Sequence, residues 1–244
     1  MQNQKSHFYK HKFLKHTATF LNTISLLIIT ITLISLLSIF FSKWIYNSQV
    51  HSLQLESSIN EKLKDNGSNL SVTTSQIVGA YSEIIDYLVP FSKKSDLNLT
   101  HFPMSKSGVS HFKDVKFLVE NLAISGIFFA LLFIPLTIYL TLVHRSYSYL
   151  KYSFIAILIL GLIIGIAIAA NFQIAFEYFH KIFFSNSTWR FDGNVDPIIY
   201  ALPPRFFMSA AILIIVVIFA VHIVYLFIYI ILLRKERKRP VISL

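Results

Sequence analysis

The sequence predicts an all-α membrane protein: four transmembrane helices, both termini cytoplasmic, and an extracellular α+β cap built from the two outer connections. Three observations predict it. Four apolar stretches free of Asp, Glu, Lys and Arg are each long enough to cross a hydrocarbon core of ~30 Å, which takes ~20 helical residues. The chain is 55% hydrophobic and only 14% charged, with a mean hydropathy of +0.61, outside the range of an ordinary soluble domain. With the termini inside, the cytoplasmic pieces hold Lys5, Lys10, Lys12, Lys15, Arg145, Lys151, Arg234, Lys235, Arg237, Lys238 and Arg239 against Glu236. Their balance equals the net charge of the whole chain, +10, so the outer connections sum to zero, as the positive-inside rule requires. The basicity is thus a topology signal with no nucleic-acid partner implied, although the basic termini also attract anionic membrane lipids. Cysteine is absent, which excludes disulfides, thiolate metal ligands and a cysteine nucleophile.

Taken in order, residues 1–20 form a basic cytoplasmic tail and residues 21–41 the first span. That apolar run is too long for a secretory signal, and no small-x-small cleavage site follows before Lys43 and Trp44, so it reads as a retained anchor. Residues 42–121 form the first outer connection. Within it residues 52–75 are Ser/Asn/Lys-rich and weakly amphipathic, while Ile77, Tyr81, Ile84, Ile85 and Leu88 recur at helical spacing up to Pro90. Residues 96–102, a turn over 103–108 and residues 109–112 read as a β-hairpin with alternating faces. The run His111 Phe112 Lys113 Asp114 Val115 Lys116 then leads into the second span, residues 122–143. A short cytoplasmic loop, 144–153, precedes the third span, 154–170, where Gly161 and Gly165 have the spacing that lets backbones approach closely. Residues 171–207 are the second outer connection, 208–233 the fourth span and 234–244 a basic tail.

The second outer connection packs His180, Lys181, Asn186, Trp189, Arg190 and Asp192 among phenylalanines. Composition leaves two readings of this density: a built site, or amphipathic anchors at the membrane interface. Histidine placement favours the site. His111 and His180 each stand at the extracellular mouth of a span, and two imidazoles with ordinary pKa near 6.5 can serve as base and acid around neutral pH. If a helix starts at His111, Asp114 lies on the same face and can orient the imidazole. His51 and His101 read as solvated, and His222 as an interhelical hydrogen-bonding residue too deep to join the site. No motif of a metalloprotease, serine hydrolase or P-loop is present, and no histidine spacing is metal-specific, so neither metal nor cofactor is expected. The spans lack the buried acids of an ion path, which argues against a transporter.

The run Phe179 His180 Lys181 Ile182 Phe183 Phe184, with Asn186, Trp189, Asp192, Asp196 and the exit from Pro204 to Phe207, resembles the bacterial lipoprotein intramolecular transacylase family (Lit), as does the run from His111 to Lys116. The resemblance covers the chain from Ile77 to the last span. It implies a four-span enzyme of the Gram-positive cell membrane that converts diacylglyceryl-modified lipoproteins to the lyso form. The sn-2 acyl chain would move from the glyceryl ester to the α-amino group of the lipidated cysteine, with His111 and His180 as the functional histidines. Elementary chemistry agrees with that reaction. Nucleophile and electrophile belong to one substrate, so no enzyme nucleophile is needed, and good intramolecular alignment supplies ~7 to 11 kcal/mol. A proton must leave an amine of pKa ~7.7 to 8 and another must reach the departing alkoxide. Asn186, Trp189, Arg190 and Arg205 are the candidates for substrate binding or oxyanion stabilisation. The alternative is a non-enzymatic membrane sensor or accessory protein whose outer cap binds lipid or protein; it should tolerate loss of either imidazole.

Overall fold

The computed structural model describes residues 2–238, with side chains from Tyr9 onward; the expectations placed on Lys5 and on residues 239–244 lie outside the described side chains. The described elements are seven α-helices and one 3₁₀ turn, in the order α1 (Gln2–Val50), α2 (Leu55–Asp65), α3 (Thr74–Leu88), α4 (Lys106–Leu142), α5 (Ser148–Ala170), α6 (Phe172–Phe183), the 3₁₀ turn Pro197–Ala201, and α7 (Pro204–Arg237). Four of these, α1, α4, α5 and α7, are long and apolar enough to cross a membrane. The chain divides into two compact units.

One unit joins Ile124–Ile164 to α1 up to Ile34 and to α7 from Ile215 onward. Several polar side chains inside its apolar helices find partners within the helices. Asn22 Nδ2 donates to Thr137 Oγ1 at 3.0 Å, the hydroxyls of Thr30 and Tyr225 meet at 3.3 Å, and Thr19, Thr23 and Ser25 donate to carbonyls four residues back. Close backbone approach occurs at Gly126, where a methyl group would stand 2.6 Å from Thr32 Cγ2; the same test at Gly161 and Gly165 meets nothing within 4 Å. The glycine spacing read from the sequence is therefore not where these helices touch. His222 is fully buried, but its Nδ1 bonds to Ile218 O of its own helix at 2.8 Å, and no partner meets its Nε2 among the described residues. The expected interhelical bond is absent there. Arg145 and Glu236 approach to 3.9 Å, so the α4–α5 link and the end of α7 lie on one side.

The other unit comprises Ser35–Ala123 and Gly165–Ile214. Its core gathers Tyr46 and Val50 from α1, Leu55, Ile59 and Leu63 from α2, Ile77, Tyr81, Ile84 and Ile85 from α3, and Ile198, Ala201 and Phe206 from the second segment. The apolar spacing of α3 puts those side chains on one face, and its start is fixed by a capping box: Thr73 and Gln76 each accept the other's backbone N–H. Tyr46 stacks on Tyr81 with ring centroids 3.9 Å apart and donates its hydroxyl to Ala201 O at 2.6 Å. Helix α2 lies inside the stretch read as polar and weakly amphipathic. Its three buried residues are spaced by four, enough for a helical stripe once a core is there to receive it.

The β-hairpin, and with it the β part of the cap, is corrected: the described residues contain no strand. Leu97 and Leu99 do point inward while Asn98 and Thr100 are exposed, so the alternation is real. It identifies the buried side of an extended segment and supplies no partner strand. Side-chain carboxylates take the backbone donors instead, Glu83 that of Thr100 at 3.0 Å and Asp196 that of Ser105 at 2.6 Å. The second arm is helical because Ser105 Oγ accepts the Gly108 N–H at 3.0 Å and starts α4 ahead of Val109.

Candidate active site

Two helix positions carry the site. His111 stands in the second turn of α4, just past the Ser105 cap. His180 belongs to α6, a separate helix that begins one residue after α5, where Asn171 adopts an extended conformation and its side chain accepts the Ile174 N–H at 3.1 Å. Asp196 ties the two chain segments together. Its buried carboxylate accepts both the N–H and the hydroxyl of Ser105, at 2.6 and 2.7 Å. Gly108 is pressed so closely beneath it that a methyl group there would lie 2.6 Å from Asp196 Oδ1 and 3.0 Å from the Phe191 ring. The start of α4 and the loop after α6 are thereby held in register.

The two imidazoles are both 7% exposed, and their ring centroids lie 5.8 Å apart. Aromatic rings enclose them. Phe184 and Phe191 meet His111 edge-on at 5.0 and 5.6 Å; Phe176 and Trp189 lie 4.2 and 4.9 Å from His180. Lys113, Asp114, Lys116 and Glu120 fill the turns of α4 between His111 and the apolar run from Leu122. Burial, with the neighbouring His180 adding to it, pushes the His111 pKa down to about 4 against the opposing pull of Asp114. Burial also lowers His180, opposed by its hydrogen bond to a carbonyl. Both rings are thus neutral near pH 7. The Nδ1 of His180 lies 2.7 Å from Phe176 O, a group that only accepts, so Nδ1 carries the proton and Nε2 the lone pair. His111 Nδ1 is buried with no partner among the described residues.

Most of the residues expected from the sequence converge here. Asp114 accepts from Asn186 Nδ2 at 2.9 Å and Thr188 Oγ1 at 3.5 Å, and Trp189 Nε1 donates to Asn186 O at 3.0 Å. Asp114 therefore braces the loop that carries Trp189, in addition to acting on His111 through its charge. The Arg190 guanidinium lies over the Trp189 ring at 4.8 Å and bonds Glu177 at 3.2 Å; Lys181 pairs with the same carboxylate at 2.9 Å. A depression of about 500 Å³ opens beside them, lined by Lys181, Phe184, Asn186, Trp189 and Arg190. Arg205 is exposed at the start of α7 and makes no described contact with this group. Sequence reasoning did not single out Phe176, Phe191, Ser105, Thr188 or Glu177. Only the aromatic density of the loop hinted at the enclosure. Among the described residues no three His, Asp or Glu side chains converge as metal ligands.

This architecture matches known proteins closely. The pattern of the family described as lipoprotein intramolecular transacylase Lit matches residues 20–207, so the likeness reaches back into the first span and is not confined to the chain beyond Ile77. The membrane-integral lipoprotein intramolecular transacylase Lit of Bacillus cereus is 28% identical; the alignment covers 93% of this chain and 100% of that one, with a TM-score of 0.82. A form of that protein with one histidine changed to alanine aligns at 27% identity and a TM-score of 0.80, over 96% of this chain and 100% of that one. A form with a histidine changed to arginine aligns at 27% and 0.79, over 96% and 98%. No curated protein sequence matches the chain significantly.

Proposed function

The chain belongs to the lipoprotein intramolecular transacylase family, whose members are acyltransferases of membrane-integral build, and from that premise we propose that His111 and His180 carry its reaction. The observation that supports this reading most is the buried imidazole pair, 5.8 Å apart, with one ring locked in a single tautomer by Phe176 O. The substrate is a diacylglyceryl-modified lipoprotein. Its α-amino nitrogen attacks the carbonyl carbon of the sn-2 ester, the ester C–O bond breaks, and an amide and a free sn-2 hydroxyl result. One proton leaves the nitrogen and one reaches the departing oxygen, so nothing else is consumed. The Nε2 lone pair of His180 receives the first proton, which a neutral ring with its Nδ1–H satisfied is arranged to do. His111, neutral and enclosed, donates a hydrogen bond to the developing oxyanion and relays the proton to the leaving alkoxide. Trp189 and Arg190, beside the depression, contact the glyceryl and peptide parts of the substrate, while Asp114 and Asn186 hold that loop in place. The exposure of Arg205 favours an interfacial role for it over an oxyanion role.

We place the hydrocarbon at residues 21–41, 122–143, 154–170 and 208–233, with both termini cytoplasmic and the histidines on the extracellular face of the cell membrane. The positive-inside balance of the chain supports this orientation. Membership in an enzyme family displaces the sensor reading. The test is mass analysis of a lipoprotein N-terminus from cells lacking this protein and complemented with it or with His111→Ala or His180→Ala. The natural chain should restore the N-acyl lyso form, and neither variant should. Restoration by both variants would overturn the assignment.

A further inference from the structure

Helix α6 presents three chemically different faces. At 100° per residue, Phe176 and His180 point inward with Phe184 following, and Phe176 packs on Phe207 at 5.4 Å. A second face carries Gln173, Glu177 and Lys181, with Glu177 and Lys181 paired at 2.9 Å. The third carries Ile174, Tyr178 and Ile182, which are 52%, 61% and 75% exposed, and Phe179 and Phe183, 46% and 51% exposed, fill the arc between it and the inward side. Five large exposed apolar side chains on one short helix require a cover. The occupant follows from where the helix begins. Asn171 alone separates α6 from α5, whose last turns are apolar and exposed, with Ile166 67% exposed. Apolar surface is therefore continuous from a membrane span onto this face. Its 12 residues, about 18 Å of helix, are too short to cross a bilayer, and its polar stripe must stay wet.

We propose that α6 is an interfacial helix whose exposed apolar face is covered by acyl chains of the adjacent leaflet, and that this face delivers the acyl chains of the substrate to His180. The delivery half rests on the function proposed above; the lipid contact does not. Continuity inside the protein supports the route. Phe183 touches Phe179 at 4.8 Å between centroids, and Phe179 touches His180 at 5.6 Å, so an acyl chain following the face meets the imidazole without leaving apolar surface.

The chain contains no cysteine, so single-cysteine variants can carry a nitroxide label in an otherwise native background. Labels at Tyr178→Cys, Ile182→Cys, Gln173→Cys and Lys181→Cys are read in vesicles of phosphatidylglycerol and phosphatidylethanolamine by collision with oxygen, which partitions into lipid, and with a water-soluble nickel chelate. The first two should favour oxygen and the last two the chelate; equal access of the chelate to all four overturns the lipid contact. The second arm is Ile182→Asp. Conversion of a long-chain diacylglyceryl lipopeptide in vesicles should fall about tenfold, while a short-chain analogue dispersed in water is converted at the natural rate. Unchanged conversion of the long-chain substrate overturns the delivery route. If the unmodified protein converts neither lipopeptide, the proposed reaction fails, and the label measurements still decide whether the face is in lipid.

Discussion

At the scale of single residues, the tautomer and burial of the two histidines set testable limits on the chemistry. Replacing either with Ala should lower conversion to the lyso form by ~10² to 10⁴, the usual worth of general acid–base catalysis, with the protein still folded and inserted. The double replacement should cost far less than the product of the two, because groups acting as one unit are not additive. Asp114→Asn should do less harm than either, since an amide can still accept from Asn186 and Thr188. All are read by the mass of a processed lipoprotein. The pH profile follows from the displaced imidazoles. Protonation of His111 is held down to about 4 and burial lowers His180 as well, so the acid-side fall in conversion should lie below the ordinary histidine value, and conversion should rise with the substrate amine, at pH ~7.7 to 8. For stability the sign runs the same way. The neutral, buried ring stabilises fully above its unfolded pKa of ~6.5, and that contribution is lost as pH falls from there toward about 4. Thermal melts in detergent should show the decline in the natural protein and a smaller one in His111→Phe.

At the scale of elements, the join between the start of α4 and the loop after α6 matters most. Gly108→Ala forces a methyl group against Asp196 and Phe191, and should lower stability by roughly 1 to 3 kcal/mol, as overpacking does. Asp196→Asn replaces a carboxylate that accepts two hydrogen bonds from Ser105 and should cost a similar amount, about 1 to 3 kcal/mol. Thermal denaturation in detergent measures both. The elements also show what was legible in the sequence. Helix α3 and the four long helices carry their pattern locally, as repeated apolar positions over many residues, and were readable. Helix α2 has only three core residues among polar ones, and its burial depends on distant partners. The segment from Asp96 to Phe102 alternates as a strand does, yet whether another strand lies beside it is not a local property. The histidines were found by their position at helix mouths. The contacts of Phe184 and Phe191 with His111 and the Ser105–Asp196 join were not, because those partners are brought together by the folded chain across long sequence separations, whereas Phe176 stands one helical turn before His180 and was open to a local reading.

At the scale of the whole molecule, the absence of cysteine and the intramolecular nature of the reaction predict an enzyme indifferent to chelators. Conversion of a lipopeptide by the purified protein should survive exhaustive treatment with a strong zinc chelator; loss with recovery on adding zinc would contradict the proton-relay chemistry. A second consequence comes from the way the histidine-bearing unit is pieced from two separated stretches, Ser35–Ala123 and Gly165–Ile214. During synthesis the ribosome delivers His111 before the residues that enclose it exist, and Ile77 and Ile84 wait for Ile198 and Ala201. Until α5 and the segment after α6 have followed, that half-built core has no partner. Two fragments divided between Arg145 and Ser146, each an insertable helical pair, should therefore complement one another when produced together in a cell, and each alone should be degraded. Complementation assayed by growth or by lipoprotein mass would show that assembly, and not chain continuity, makes the catalyst.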